Sequence, residues 1–175
     1  FETAESLLAE IKAKGIKLEA DNLEQLGRGN LIDTLYKKVS RPNIINPTYL
    51  IEHPIDLSPL ARSNDENPKL TDRFQLVVNG QEIINGYSEL VDAREQERRL
   101  IKQSELKAQG DEEAMSIDKE YIRAMEYGMP PISGWGLGVD RFLQFLTSSQ
   151  NIRDVVLYPL MRPRDWANES DDLIS

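Results

Sequence analysis

The chain has 175 residues, 39% of them hydrophobic, with no cysteine, a single histidine (His53) and a net charge of −9. That length suits one packed domain. Without cysteine there is no disulfide framework or thiolate zinc site, and one histidine cannot build a histidine-rich centre, so any metal must be held by oxygen. The negative charge argues against this segment binding nucleic acid alone, since phosphate contacts need clustered lysine and arginine.

Residues 2–14 place Ala4, Leu7, Leu8 and Ile11 at helical spacing, with Gly15 as a stop. The sequence opens on Phe1 with neither the basic nor the apolar region of a signal peptide, and no apolar run reaches the length of a membrane span, which fits a cytoplasmic setting. Phe1 in place of methionine suggests a piece of a longer chain. A second helix is expected from an Asn30 cap, burying Leu31, Ile32, Leu35, Tyr36 and Val39 and ending before Pro42. Thr48 to Ile51 reads as a strand, followed by a polar loop over Ser58–Leu60 and Arg62–Pro68 that is either an active-site flap or plain surface.

Asn79-Gly80 is a strong hairpin signal between two apolar runs. A regular two-residue turn pairs Val78 with Gln81, Val77 with Glu82 and Gln75 with Ile84, which makes Gln75 and Glu82 diagonal neighbours, two oxygen ligands on one face. Asn85, Tyr87 and Glu89 recur at period two and share a face: an amide, an aromatic wall and a carboxylate. A charged helix is predicted over residues 93–108 with Gly110 as its breaker, and another over Lys119 to Glu126.

Gly134-Trp135-Gly136-Leu137-Gly138-Val139-Asp140-Arg141 reads as a strand that hands an arginine to a helix. Glycines at period two clear one face for a flat ligand, while Trp135, Leu137 and Val139 are expected to fill the other. Arg141, at the strand-to-helix junction, can stack on an aromatic base or bind a phosphate oxygen. A short apolar run, Val155 to Tyr158, and a polar end over residues 168–172 complete the chain.

The glycine stretch resembles motif 3 of the class II aminoacyl-tRNA synthetases. Asp72-Arg73-Phe74-Gln75 through Glu82, Asn85 to Leu90 and Asp92, with Pro47-Thr48, Ser58 to Ala61, Gly110 to Ala114 and Glu126-Tyr127-Gly128, resemble the C-terminal half of the class II lysyl-tRNA synthetase catalytic domain in order and spacing. The resemblance implies an α+β fold, an antiparallel sheet flanked by helices. It assigns residues 1–163 to that portion of the catalytic domain and 164–175 to a polar tail.

It further implies ATP and Mg2+ as cofactors, lysine and tRNA(Lys) as partners, and a homodimer in the full-length enzyme. Glu89 matches the carboxylate that receives the lysine ε-ammonium, Asn85 the amide near the substrate carboxylate and Tyr87 the aromatic wall. Four residues of strand span about 13 Å, close to a lysine of roughly 7 Å plus two hydrogen bonds of about 2.9 Å. Glu82 matches a magnesium-holding carboxylate, with Gln75 where a second metal-binding glutamate is more usual. Gly134, Gly136, Gly138 and Arg141 match the ATP seat, and Arg141 and Glu82 the catalytic residues. Strict alternation puts Glu82 and Asn85 on opposite faces, so the resemblance requires a bulge or twist between Ile83 and Gly86.

Motif 1, motif 2 and the anticodon-binding barrel find no match in this sequence, so the segment by itself is expected to be inactive. The implied activity belongs to a longer enzyme that makes lysyl-adenylate and passes lysine to tRNA. Two alternatives remain at this point: a lysyl-adenylate-using protein ligase of the elongation factor P type, and a non-catalytic synthetase-like binding module.

Overall fold

The computed structural model describes residues 2–18 and 22–160, and the residues fall into two compact units, Phe1–Gly138 and Val139–Ser175. The expected polar tail, residues 164–175, lies outside the described residues.

In the first unit, α1 (Ala4–Ala13) opens on a capping box in which Thr3 and Ser6 each satisfy the other's backbone N–H, and it gives way to Gly15 at φ +66°. Helix α2 (Arg28–Val39) begins earlier than predicted, with Gly27 rather than Asn30 as its cap. Gly27 is its N-cap and has no side chain to offer; instead the Asp111 carboxylate, 84 residues downstream, accepts from Gly27 N at 2.8 Å and from Asn30 Nδ2 at 2.9 Å. Asp111 is fully buried. Leu7, Ile11 and Leu31 form the buried centre between these helices, with Leu8, Ile32 and Leu35 packed against it. Val39, predicted to be buried, is exposed because it lies in the last turn of α2.

The sheet contains β1 (Thr48–Pro54), β2 (Leu70–Val78), β3 (Gln81–Ser88) and β4 (Ser133–Leu137) in that spatial order, every pair antiparallel. Asn79 and Gly80, at φ +48° and +71°, make the two-residue turn that joins β2 to β3. Helices α3 (Ala93–Ala108) and α4 (Lys119–Glu126) fill the crossover from β3 to β4 and share a core of Leu100, Ile122 and Met125, with Leu60 and Tyr121 against it. The loop before β2 is anchored at Ala61 and Ser63, while residues 65–69 are exposed surface. Ala61 bridges to Glu89 and Ser63 to Thr71, and the buried Arg99 of α3 donates to Ala61 O at 2.8 Å and Ser63 Oγ at 2.7 Å.

β4 stops at Leu137, so Val139 does not belong to the strand's outer face as predicted; it is the first residue of α5 (Val139–Thr147). Trp135 and Leu137 point away from the glycine side but leave that face open, Trp135 being 67% exposed. The described residues of the second unit contain α5 and a 3-10 turn, Ile152–Val155.

Candidate active site

Two irregularities in the sheet decide what its inner face carries. In β3 the register runs Val78 to Gln81 and Val77 to Glu82 as predicted, then shifts so that Leu76 faces Ile84 and Gln75 faces Asn85 rather than Ile84. Ile83 is the extra residue of a bulge. Asn85, three residues beyond Glu82, thereby joins Glu82 on the face of Gln75. In β1 a second shift falls between Ile51 and His53, where Glu52 takes φ +58°, and it brings His53 opposite Thr71 on that same face.

Continuing across the sheet, Arg73 pairs with Tyr87, Tyr87 with Gly134 and Asn85 with Gly136. Arg73, Gln75, Asn85, Tyr87, Gly134 and Gly136 therefore share one face, and the two glycines form its floor. A methyl group built on Gly136 would meet nothing within 4 Å, and one on Gly134 would lie 3.7 Å from Glu89 Oε1. Gly138 continues the ladder by donating to Ile83 O at 2.9 Å.

Each end of this face has its own chemistry. Arg73 donates from Nε to Asn85 Oδ1 at 3.0 Å and from Nη1 to Leu57 O at 3.0 Å and Ser58 Oγ at 2.9 Å. Because a guanidinium only donates, Asn85 must turn its oxygen inward and its Nδ2 donors outward. Glu89 is fixed by its backbone, bridged to Ala61 and donating to Ile132 O at 2.9 Å. Its carboxylate has no hydrogen-bond partner among the described residues, and burial raises it above the ordinary range. Burial likewise raises the Tyr87 and Tyr121 phenols, and the Glu89 charge adds to each, which sets both rings around this carboxylate.

At the other end a cavity of about 430 Å³ lies between α2 and the sheet, with Asp33, Tyr36, Leu50, Arg73, Gln75 and Glu82 in its wall. Gln75 donates from Nε2 to Glu82 Oε2, and its Oε1 meets His53 Nε2 at 3.2 Å. The Tyr36 hydroxyl and His53 Nδ1 are buried with no hydrogen-bond partner among the described residues. Burial lowers the His53 ring below its ordinary pKa, so it is neutral at physiological pH.

The sheet thus brings together Gln75, Glu82, Asn85, Tyr87, Glu89, Gly134 and Gly136. Arg141 lies in the first turn of α5, in the second unit. Arg73, His53 and Tyr121 emerge as members of the site that sequence reasoning did not single out. Arg73 shares the period-two pattern of Gln75 and could have been read from it; His53 depends on the bulge at Glu52, and Tyr121 on the packing of α4, and neither leaves a local signal.

The model of the family of tRNA synthetases class II (D, K and N) matches residues 11–162. The chain is 46% identical over 157 residues to a lysine–tRNA ligase of Carboxydothermus hydrogenoformans, covering 90% of this chain and 31% of that protein. To the heat-inducible lysine–tRNA ligase of Escherichia coli K12 it is 44% identical over 164 residues, 94% of this chain and 31% of the relative. A lysine–tRNA ligase of Thermosipho africanus is 41% identical over 172 residues, 98% and 33% of the two chains. The chain therefore spans about a third of the length of the relatives it matches. With the match running over most of its length, and a four-stranded antiparallel sheet flanked by helices beneath it, the chain belongs to the class II tRNA synthetases of the D, K and N group.

Proposed function

We propose that this chain supplies the amino-acid pocket and part of the nucleotide seat of a lysine–tRNA ligase, acting within a longer homodimeric cytoplasmic enzyme that activates lysine with ATP and transfers it to tRNA(Lys). The observation that carries the reading is Glu89: a carboxylate partly withdrawn from water, without a hydrogen-bond partner among the described residues, beside two tyrosines and over a glycine floor. Such a group gains most from an ammonium ion brought to it, and a neutral side chain would leave its charge uncompensated.

Lysine would lie along the face with its ammonium on Glu89, its methylenes against Tyr87 and its carboxylate near the Nδ2 donors that Arg73 turns outward on Asn85. In the implied reaction a substrate carboxylate oxygen forms a bond to the α-phosphorus of ATP as the bond to pyrophosphate breaks. Asn85 holds the nucleophile in place, so this end of the site works by position and charge. The open floor at Gly134 and Gly136 suits a flat base, with Gly138 extending the strand; Arg141 is assigned to the nucleotide on the strength of its motif.

For magnesium, the donor set fits an ion held largely by phosphates. Among the described residues no group of three acidic or histidine side chains is placed to hold a metal, and Glu82 offers one carboxylate. Magnesium commonly binds through one or two carboxylates plus substrate phosphates. When bound it would offset phosphate charge, and Glu82 would hold it.

The identities to lysine–tRNA ligases favour this reading over the protein-ligase and binding-module alternatives. Glu89→Gln in the full-length enzyme tests it through lysine-dependent pyrophosphate exchange. Loss of a charge-assisted bond costs about 1.5–3 kcal/mol, which is a roughly 10- to 150-fold rise in the lysine constant with the ATP constant little changed. Equal rises for both substrates would place lysine elsewhere.

A further inference from the structure

The bulges at Glu52 and Ile83 act on opposite sides of one residue. The first carries His53 onto the face of Gln75, where the turn register already places Glu82, and the second follows directly after Glu82 and adds Asn85; Gln75 meets both His53 and Glu82. Glu52 holds a left-handed backbone that a residue with a Cβ adopts at a cost. The two departures from regular pairing flank Gln75 along β2, and the one beside β1 sets His53 against the Gln75–Glu82 pair.

The donor and acceptor roles follow by elimination. A carboxylate only accepts, so the Gln75 atom facing Glu82 is its nitrogen, and the oxygen faces His53. That oxygen also only accepts, so His53 Nε2 carries the proton. His53 Nδ1 is then a lone pair, buried and without a hydrogen-bond partner among the described residues. The one Gln75 atom able to bind a cation is directed away from Glu82 and toward the ring.

We infer that Gln75 is a positioning residue and not a metal ligand: His53 and Gln75 form a neutral relay that holds a single carboxylate, Glu82, in one orientation. The inference rests on the reading of Glu82 as the metal-holding carboxylate, and it replaces the sequence-based expectation that Gln75 contributes a second ligand oxygen. An amide suits the position because two carboxylates here would repel each other whenever no cation lay between them. Gln75 instead binds Glu82 whether or not a cation is present.

The chain's single histidine makes the test direct. In long-range proton–nitrogen NMR spectra of the 15N-labelled intact chain at neutral pH, the relay requires the Nε2–H tautomer of His53. Glu82→Ala frees the Gln75 amide to rotate, so the His53 signals should move toward a mixture of tautomers; a simple His53–Gln75 pair would not respond to Glu82. An Nδ1–H ring in the wild type, or an unchanged tautomer in Glu82→Ala, would overturn the relay.

Manganese titrations read by electron paramagnetic resonance separate this inference from the reading beneath it. Gln75→Glu should bind manganese about ten-fold more tightly than wild type, since it adds a carboxylate oxygen to the site. Gln75→Leu should keep most of the wild-type affinity, because no ligand is lost; a collapse of binding in Gln75→Leu would make the amide a ligand and overturn the inference. If wild type and Gln75→Glu bind manganese equally in the presence of ATP while the tautomer results hold, the relay stands and Glu82 is not the metal-holding carboxylate.

Discussion

Arg73 Nε stands 3.0 Å from Asn85 Oδ1, and through that bond a half-buried guanidinium decides which end of an amide the pocket presents. Burial lowers the Arg73 pKa, with the charges of Glu82 and Asp33 opposing the shift, and the group remains a cation at any physiological pH. Arg73→Met should let the Asn85 amide rotate and should strip Leu57 O and Ser58 Oγ of their donor. The expected result is a ten-fold or greater loss in lysine affinity, corresponding to about 1.5–3 kcal/mol for a hydrogen bond to a charged group. Calorimetric titration of lysine, with circular dichroism to verify folding, checks it; unchanged affinity would detach Arg73 from the pocket.

Two glycines on adjacent strands should answer substitution in opposite ways. A methyl group at Gly86 would lie 2.7 Å from Trp135 Cβ, 2.8 Å from Phe74 Cε1 and 2.9 Å from Gly134 O, so Gly86→Ala must push β4 away from β3. Overpacking of this kind costs about 1–3 kcal/mol. At Gly136 there is open space, so Gly136→Ala should keep its urea midpoint and instead obstruct a ligand on the floor. Loss of stability in Gly136→Ala, or none in Gly86→Ala, would contradict the packing.

Acid should weaken α3 through Glu95. Hydrogen bonds from Arg98 and then Arg99 hold the Glu95 carboxyl down to about 2, against burial that would raise it. A depressed carboxylate contributes stability that is complete above its unfolded pKa of about 4.3 and is lost as pH falls toward the folded value. Glu95→Gln should therefore flatten the decline in urea midpoint between about pH 4.3 and 2. Equal acid slopes in mutant and wild type would show that the carboxylate does not sense folding.

Much of this fold was legible because the signals were local. The span of α4, the Asn79-Gly80 turn and the glycine stop after α1 each depend on residues within a few positions of the event. The start of α2 was misplaced because its cap comes from Asp111, beyond the reach of any local rule. Within the site, the grouping of Asn85 with Tyr87 and the meeting of Gln75 with Glu82 followed from alternation, whereas the strand pairing of Gln75 with Asn85 did not, since a bulge, required only by the resemblance, breaks the count at Ile83. The expected packing of Trp135 and Leu137 also failed, because periodicity says which way a side chain points and not what lies against it.

The bulge also determines how this hairpin can fail. Ile83 is buried, and its carbonyl receives the N–H of Gly138, so its side chain and backbone both hold the extra residue in place. If that hold loosened, the competing arrangement would be the regular ladder, in which Asn85, Tyr87 and Glu89 turn to the opposite side of the sheet as a set. Damage at Ile83 would then appear as two populations, one binding with full strength and one not at all, and the measured loss would be in the number of competent molecules rather than in the affinity of each.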